Sequence, residues 1–253
     1  MAREHLLVGE EESIHSNQIV LETKKDIYKN WWYYHKGHLL IIAISAAVVV
    51  SFIVSMVNKV TPDYQIGLIT SVTWTEEMMD DLSEYIGRYG DDRNGDGDVV
   101  VQINQYSFSD SDTADPNMLQ ASMVRFSADS TNADSIIFLH DEKGFDFFAD
   151  DTLGGYFNYN DGSPMPEKAQ DFENAMVDWS EVTALSNYSA PDLTDSMTPL
   201  TGDRIDEILS KYRVSLRSQS PTITKKEERM EYYQDSMELF NRMMNDEKIN
   251  IAE

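Results

Sequence analysis

The sequence predicts an α/β protein: one transmembrane helix, then a three-layer α/β domain with a mostly parallel sheet. Three observations carry this expectation. The run from Leu39 to Val57 holds no charge. Beyond it, short β-rich runs alternate with amphipathic stretches, the pattern of strands joined by helical crossovers. The net charge of −25 is spread along that outer region instead of being confined to one tail. The implied division is a cytoplasmic tail over 1–38, a membrane helix over 39–57 and an extracytoplasmic domain over 58–253.

The apolar run comes first. At about 1.5 Å per residue it crosses a hydrocarbon core of roughly 30 Å. A buried core helix would show a polar face, and this run has only scattered serines. Trp31, Trp32, Tyr33 and Tyr34 precede it, as in the aromatic belt of a membrane interface. Lys24, Lys25, Lys29 and Lys36 stand before the run and only Lys59 stands close after it, which places the N-terminus inside. A cleaved signal peptide would be shorter and end in small residues. The flank Met56-Val57-Asn58-Lys59-Val60 offers no such end, so the helix is expected to be retained. The piece before it, polar and without a core, is expected to be flexible.

The outer region then reads in order. Asp63–Val72 is a strand. Thr73 and Glu76 have capping-box spacing before a helical face of Met78, Met79, Leu82, Tyr85, Ile86 and Tyr89, with Gly90 as its C-terminal stop. Asp98–Phe108 is a second strand. Asp115-Pro116 opens a second helix through Met118, Leu119, Ser122, Met123 and Phe126. Asp134–Asp141 is a third strand. Glu142–Thr201 is irregular, yet Phe145, Phe147, Phe148, Tyr156, Phe157 and Trp179 require that some of it pack. A short helix, a strand over Tyr212–Ser218 and a long helix follow. Thr224 and Glu227 have the spacing of that last helix's cap. Met230, Tyr233, Met237, Phe240 and Met244 form its stripe, which should lie on the sheet.

Composition excludes several function classes. With no cysteine there is no disulfide scaffold, thiolate zinc site, cysteine nucleophile or lipidated anchor, a pattern that fits a bacterial surface protein. The acidic surface repels phosphate backbones, so nucleic acid is not an expected partner, and it disfavours lying flat on anionic lipid.

Two places could carry chemistry. Asp92, Asn94, Asp96 and Gly97 match the first half of a calcium loop, D-x-N-x-D-G, but the closing carboxylate position is Ile103. The same residues also suit a plain turn entering a strand. Calcium is the only cofactor the sequence suggests. The second place is the carboxyl ends of the strands, where open α/β sheets bind ligands. There stand Ser71, Thr73 and Trp74, then Tyr106 and Ser107, then His140 and Asp141. Trp74 could stack on a sugar, and His140 is the one histidine of the outer region. A structural histidine at a strand end explains the same residues. No nucleophile-elbow motif is present, and acidic pairs such as Glu76/Glu77 and Asp80/Asp81 are expected by chance in so acidic a chain.

The opening strand and helix, then NGDGDVVVQINQYS, a helix and ADSIIFLHD, resemble the first lobe of the extracytoplasmic solute-binding proteins of ABC importers. YRVSLRS with YYQDSMELFNRM resembles the closing elements of that lobe. The whole chain resembles single-pass membrane-anchored proteins of Gram-positive bacteria. That likeness implies a single α/β lobe and capture of a small solute. The segment before Tyr212 is too short for the second lobe such proteins close over their ligand, and no ligand motif carries over. The expectation is therefore a non-catalytic, membrane-anchored binding or interaction module, held in lipid by Leu39–Val57. Two other readings stand beside it. One is an anchored hydrolase of cell-wall or polysaccharide material. The other is an assembly partner of a membrane protein, whose methionine-rich faces could adapt to it.

Overall fold

A computed structural model of the chain describes residues 23–57, 61–108, 116–149, 155–193 and 199–250. It divides into two units, Met1–Lys59 and Val60–Glu253. The first holds helix α1 (Lys24–Val57), 34 residues long and so about 50 Å from end to end. Among the described residues it is the only helix long and apolar enough to cross a membrane. Apolar side chains stand exposed all round it, Leu40, Val48 and Phe52 among them, as suits a helix with lipid for solvent. Its first fifteen residues belong to the segment expected as flexible tail. Helix-compatible contacts explain the difference: His35 stacks on Trp31 one turn back, with ring centroids 4.8 Å apart, and its Nδ1 lies 2.8 Å from the Trp31 carbonyl.

The second unit is built on five strands in the order β2-β1-β3-β5-β4. These are β1 (Tyr64–Thr70), β2 (Val101–Ser107), β3 (Ile137–His140), β4 (Val177–Asp178) and β5 (Arg213–Leu216). β1 runs parallel to both β2 and β3, whereas β5 is antiparallel to β3 and to β4. The expected mixed α/β class and mostly parallel sheet are therefore present. The crossovers are α2 (Glu76–Gly87) between β1 and β2 and α3 (Pro116–Asn132) between β2 and β3. The remaining helices are α4 (Glu142–Ala149), α5 (Thr183–Ser186), α6 (Gly202–Leu209), α7 (Pro221–Thr224) and α8 (Glu227–Asn245).

Strand alternation sorts the core into two layers of side chains. Tyr64, Ile66, Leu68, Val101, Ile103, Ile137, Leu139 and Val214 meet α2, α5, α6 and α8 on one face. Ile69, Tyr106 and Phe138 meet α3, α4 and the segment around Phe157 and Met165 on the other. Gly67 is the one position in β1 where the second face needs a missing side chain, because a Cβ there would lie 2.3 Å from the Phe138 ring.

Several local expectations change. The α2 cap is Thr75, whose hydroxyl accepts from the Met78 N–H; Thr73 stands outside the helix. Thr224 does not open α8 but ends α7, and Lys226 precedes the first turn of α8. Asp115, the expected cap of α3, lies outside the described residues, as does the Phe148 side chain. The segment read as irregular contains α4, two short 3₁₀ turns, β4 and α5. Asp141 starts α4 by accepting the Gly144 N–H. On α8 the buried set is Tyr232, Tyr233, Leu239, Phe240 and Met243, while Met230, Met237 and Met244 are only partly covered. The helix settles between two core clusters, so its buried face is wider than a single stripe.

Candidate functional site

Three polar assemblies lie around the sheet, and they differ in what remains unused. The first is at the carboxyl ends of β1 and β3. Thr70 is fully buried, and its hydroxyl lies 2.7 Å from the Tyr212 hydroxyl and 3.1 Å from Asp141 Oδ2. The same oxygen of Asp141 accepts from the Ser71 N–H and Ser71 Oγ, both at 2.8 Å. Trp74 is buried, and its Nε1 donates to the Tyr212 hydroxyl at 2.9 Å. Burial pushes the Tyr212 phenol up to about 12, so it stays neutral and holds both bonds. The indole expected to offer a stacking face to a sugar is thus an internal strut.

His140 faces the opposite layer. It is buried against Phe145, ring centroids 4.6 Å apart, with Nε2 2.8 Å from Ser215 Oγ. Ser215 Oγ in turn donates to the Ala175 carbonyl at 2.9 Å, so it serves His140 as acceptor. Burial, with help from the Arg213 charge, lowers the imidazole to about 3. His140 is neutral at any ordinary pH and has no carboxylate partner among the described residues. Tyr106 also turns inward, donating its hydroxyl to Asp129 on α3. Burial and then that carboxylate raise the phenol well above its usual range. The strand ends therefore bring Thr70, Ser71, Trp74, Asp141 and Tyr212 together, and separate them from His140 and Tyr106.

The second assembly is the loop before β2. Asp63, buried, accepts the N–H groups of Arg93 (2.8 Å), Asn94 (3.0 Å) and Val100 (2.8 Å), and so fixes both ends of the loop. Within it, Asp92 accepts from Gly95, Asp96 and Gly97, Asn94 shares the Asp96 N–H, and Asp96 accepts the Asp98 N–H. Gly95 and Gly97 have φ of 74° and 98°, the left-handed region that glycine enters freely. The oxygens expected for calcium thus hold the loop's own amides. The position of the closing carboxylate, Ile103, is a core residue of β2. Among the described residues no group of three or more His, Asp or Glu side chains is placed to hold a metal ion.

The third assembly was not legible as a site in the sequence. β2 is an edge strand. The Phe108 N–H donates to Thr70 O, whereas the Ser107 N–H points the other way, to Ser122 Oγ on α3. By that alternation Val101, Ile103 and Gln105 turn their N–H and C=O groups away from the sheet. Among the described residues nothing bonds to these three N–H groups. Cavities of about 350, 420 and 430 Å³ follow this edge between α2 and α3, merging through shared walls at Met79, Ile103 and Arg125. The largest of the three is also lined by Thr73 and Trp74. Arg125 is exposed and, among the described residues, forms no ion pair or hydrogen bond. The sequence did hold one signal. VQINQYS alternates apolar and polar residues, as a half-exposed strand does, whereas Ile137–His140 is apolar almost throughout.

No protein-family model matches the chain, and no curated protein or solved structure matches it either.

Proposed function

We propose that the chain is a membrane-anchored, non-catalytic binding module that displays its outer domain on the extracytoplasmic side and takes its ligand in the groove along β2. One observation carries the reading. The groove keeps its backbone polar groups and the Arg125 charge unused, while the side chains at the strand ends are consumed by one another. A buried acid, hydroxyl or amide satisfied inside the fold has nothing left for substrate. A row of edge groups and a guanidinium with no partner among the described residues keep that capacity. The position of the groove supports the same reading, since the largest of the three cavities reaches the carboxyl ends of β1 and β2, where open α/β sheets take ligands. The lysine bias before α1 supports the orientation.

The absence of cysteine makes a clean test available. The full-length variant Ala121→Cys, in its own membrane, carries one thiol in the wall of the groove, and Lys211→Cys carries one on the exposed far side. Each is loaded with a benzophenone maleimide and irradiated. Discrete adducts at position 121 that are missing at 211 are expected. Identical patterns at both positions, or none at 121, overturn the binding reading. A membrane-impermeant maleimide should label Ala121→Cys on intact cells and Lys25→Cys only after lysis; the reverse overturns the orientation.

A further inference from the structure

Resting on the groove as the binding site, we propose that its occupant is an extended strand of another polypeptide, added to the edge of β2 and carrying opposite charges on its two faces. Backbone chemistry points to a strand. Val101, Ile103 and Gln105 present alternate N–H and C=O groups along one line, which an extended chain matches repeat for repeat and a small solute does not. β2 also lacks the devices that normally blunt an edge. It is seven residues long and holds no proline, lysine or other charged residue. The opposite edge of the sheet, β4, is only two residues long.

The walls decide between a second copy of this chain and a single strand. β2 is recessed between α2 and α3, whose residues line the groove on either side. A second β2 would bring its own flanking helices and could not enter. Two chains each carrying a net charge of −25 also repel.

Charge complementarity then describes the strand's side chains. On the α2 side, beside Val100–Ile103, stand Glu76 and Asp80, both exposed and without an ion pair among the described residues. On the α3 side, beside Gln102–Tyr106, Arg125 is the one cation lining the cavity. The acids there are engaged: Asp129 holds Tyr106 and Ser135, and Asp134 pairs with Arg229 at 3.2 Å. Successive residues of a strand point to opposite faces. The occupant therefore carries a basic residue toward α2 and an acidic residue toward α3, an odd number of positions apart.

The test uses the full chain in detergent or nanodiscs and two fluorescent peptides of identical composition, rich in valine and threonine. One places its lysine and glutamate an odd number of residues apart and the other an even number apart. Fluorescence anisotropy should show the first binding about tenfold more tightly, the effect of roughly 1.4 kcal/mol. Arg125→Glu should remove that preference and restore it for a peptide with the glutamate changed to lysine. N-methylation of the backbone amides of one parity should weaken binding about tenfold, and of the other parity hardly at all. Equal effects from both parities overturn strand addition. So does concentration-dependent self-association that competes with the peptides. If neither peptide binds while adducts still form at Ala121→Cys, the strand is overturned and the binding module stands. If both fail, the module falls with it.

Discussion

The carboxyl ends of β1 and β3 and the outer edge of β2 lie on one sheet, yet they use polar groups in opposite ways. At the first, Asp141 ties Thr70, Ser71 and the start of α4, and Tyr212 ties Thr70 to Trp74. At the second, an edge of backbone groups and the Arg125 guanidinium have no partner among the described residues. The lesson is that chemical character does not mark a site. The region richest in hydroxyls, acid and aromatic rings is the one closed on itself. Along β2 the side chains of Gln102, Asn104 and Gln105 also bond to neighbours, and the capacity to spare lies in the outward backbone groups.

That comparison sharpens on substitution. The largest effect is expected from pH acting on His140, which lies at the same strand end as the closed network but in the opposite layer. His140 is lowered to about 3 in the fold, against 6.5 when exposed. A depressed histidine keeps its full contribution above pH 6.5 and loses it as pH falls toward 3, because only the unfolded chain then takes up the proton. Between pH 6.5 and pH 4 this amounts to about 3 kcal/mol. Denaturant unfolding of wild type and His140→Gln should converge in pH dependence only after that contribution is subtracted. Parallel curves for the two would mean that His140 is not neutral and buried.

Next is Asp141→Ala, which strands the Thr70 hydroxyl, the Ser71 N–H and the first turn of α4. About 2–3 kcal/mol should be lost, lowering the melting temperature by roughly 5–10 °C for a domain of this size. An unchanged melting temperature would remove the claim that this network is structural. Tyr212→Phe should cost less, about 1–2 kcal/mol, because Trp74 Nε1 and Thr70 lose one shared partner while the ring still fills its place. The smallest effect belongs to the groove. Arg125→Glu should change stability by under about 0.5 kcal/mol, as an exposed residue with no partner among the described residues does. A large loss there would show that Arg125 supports the fold, and the contrast between the two regions would dissolve.

Legibility followed the same division. The apolar run of α1 and the first three strands could be read because each rests on a local pattern. The capping residues were misplaced by two positions at both Thr73 and Thr224: at α2 a second hydroxyl, Thr75, is the one that accepts, and at α8 the first turn follows Lys226 with no side-chain cap at all. α4 was missed because its start depends on Asp141, a residue that also reads as a strand-end ligand. Trp74 and Tyr106 were read correctly as strand-end residues, but not as inward-facing ones. Their partners, Tyr212 and Asp129, lie 138 and 23 residues away in the chain.

By itself the sequence determined an apolar helix, a run of strand–helix alternation and a strongly acidic surface, because charge and periodicity are properties of neighbours along the chain. Only the tertiary structure decided which polar groups are spent and which are free. It placed β2 at the edge, turned Val101, Ile103 and Gln105 outward, and left Arg125 without a carboxylate among the described residues. Hydrogen bonds saturate in space and not along the sequence, so what a residue has left to offer depends on partners that only folding brings near it.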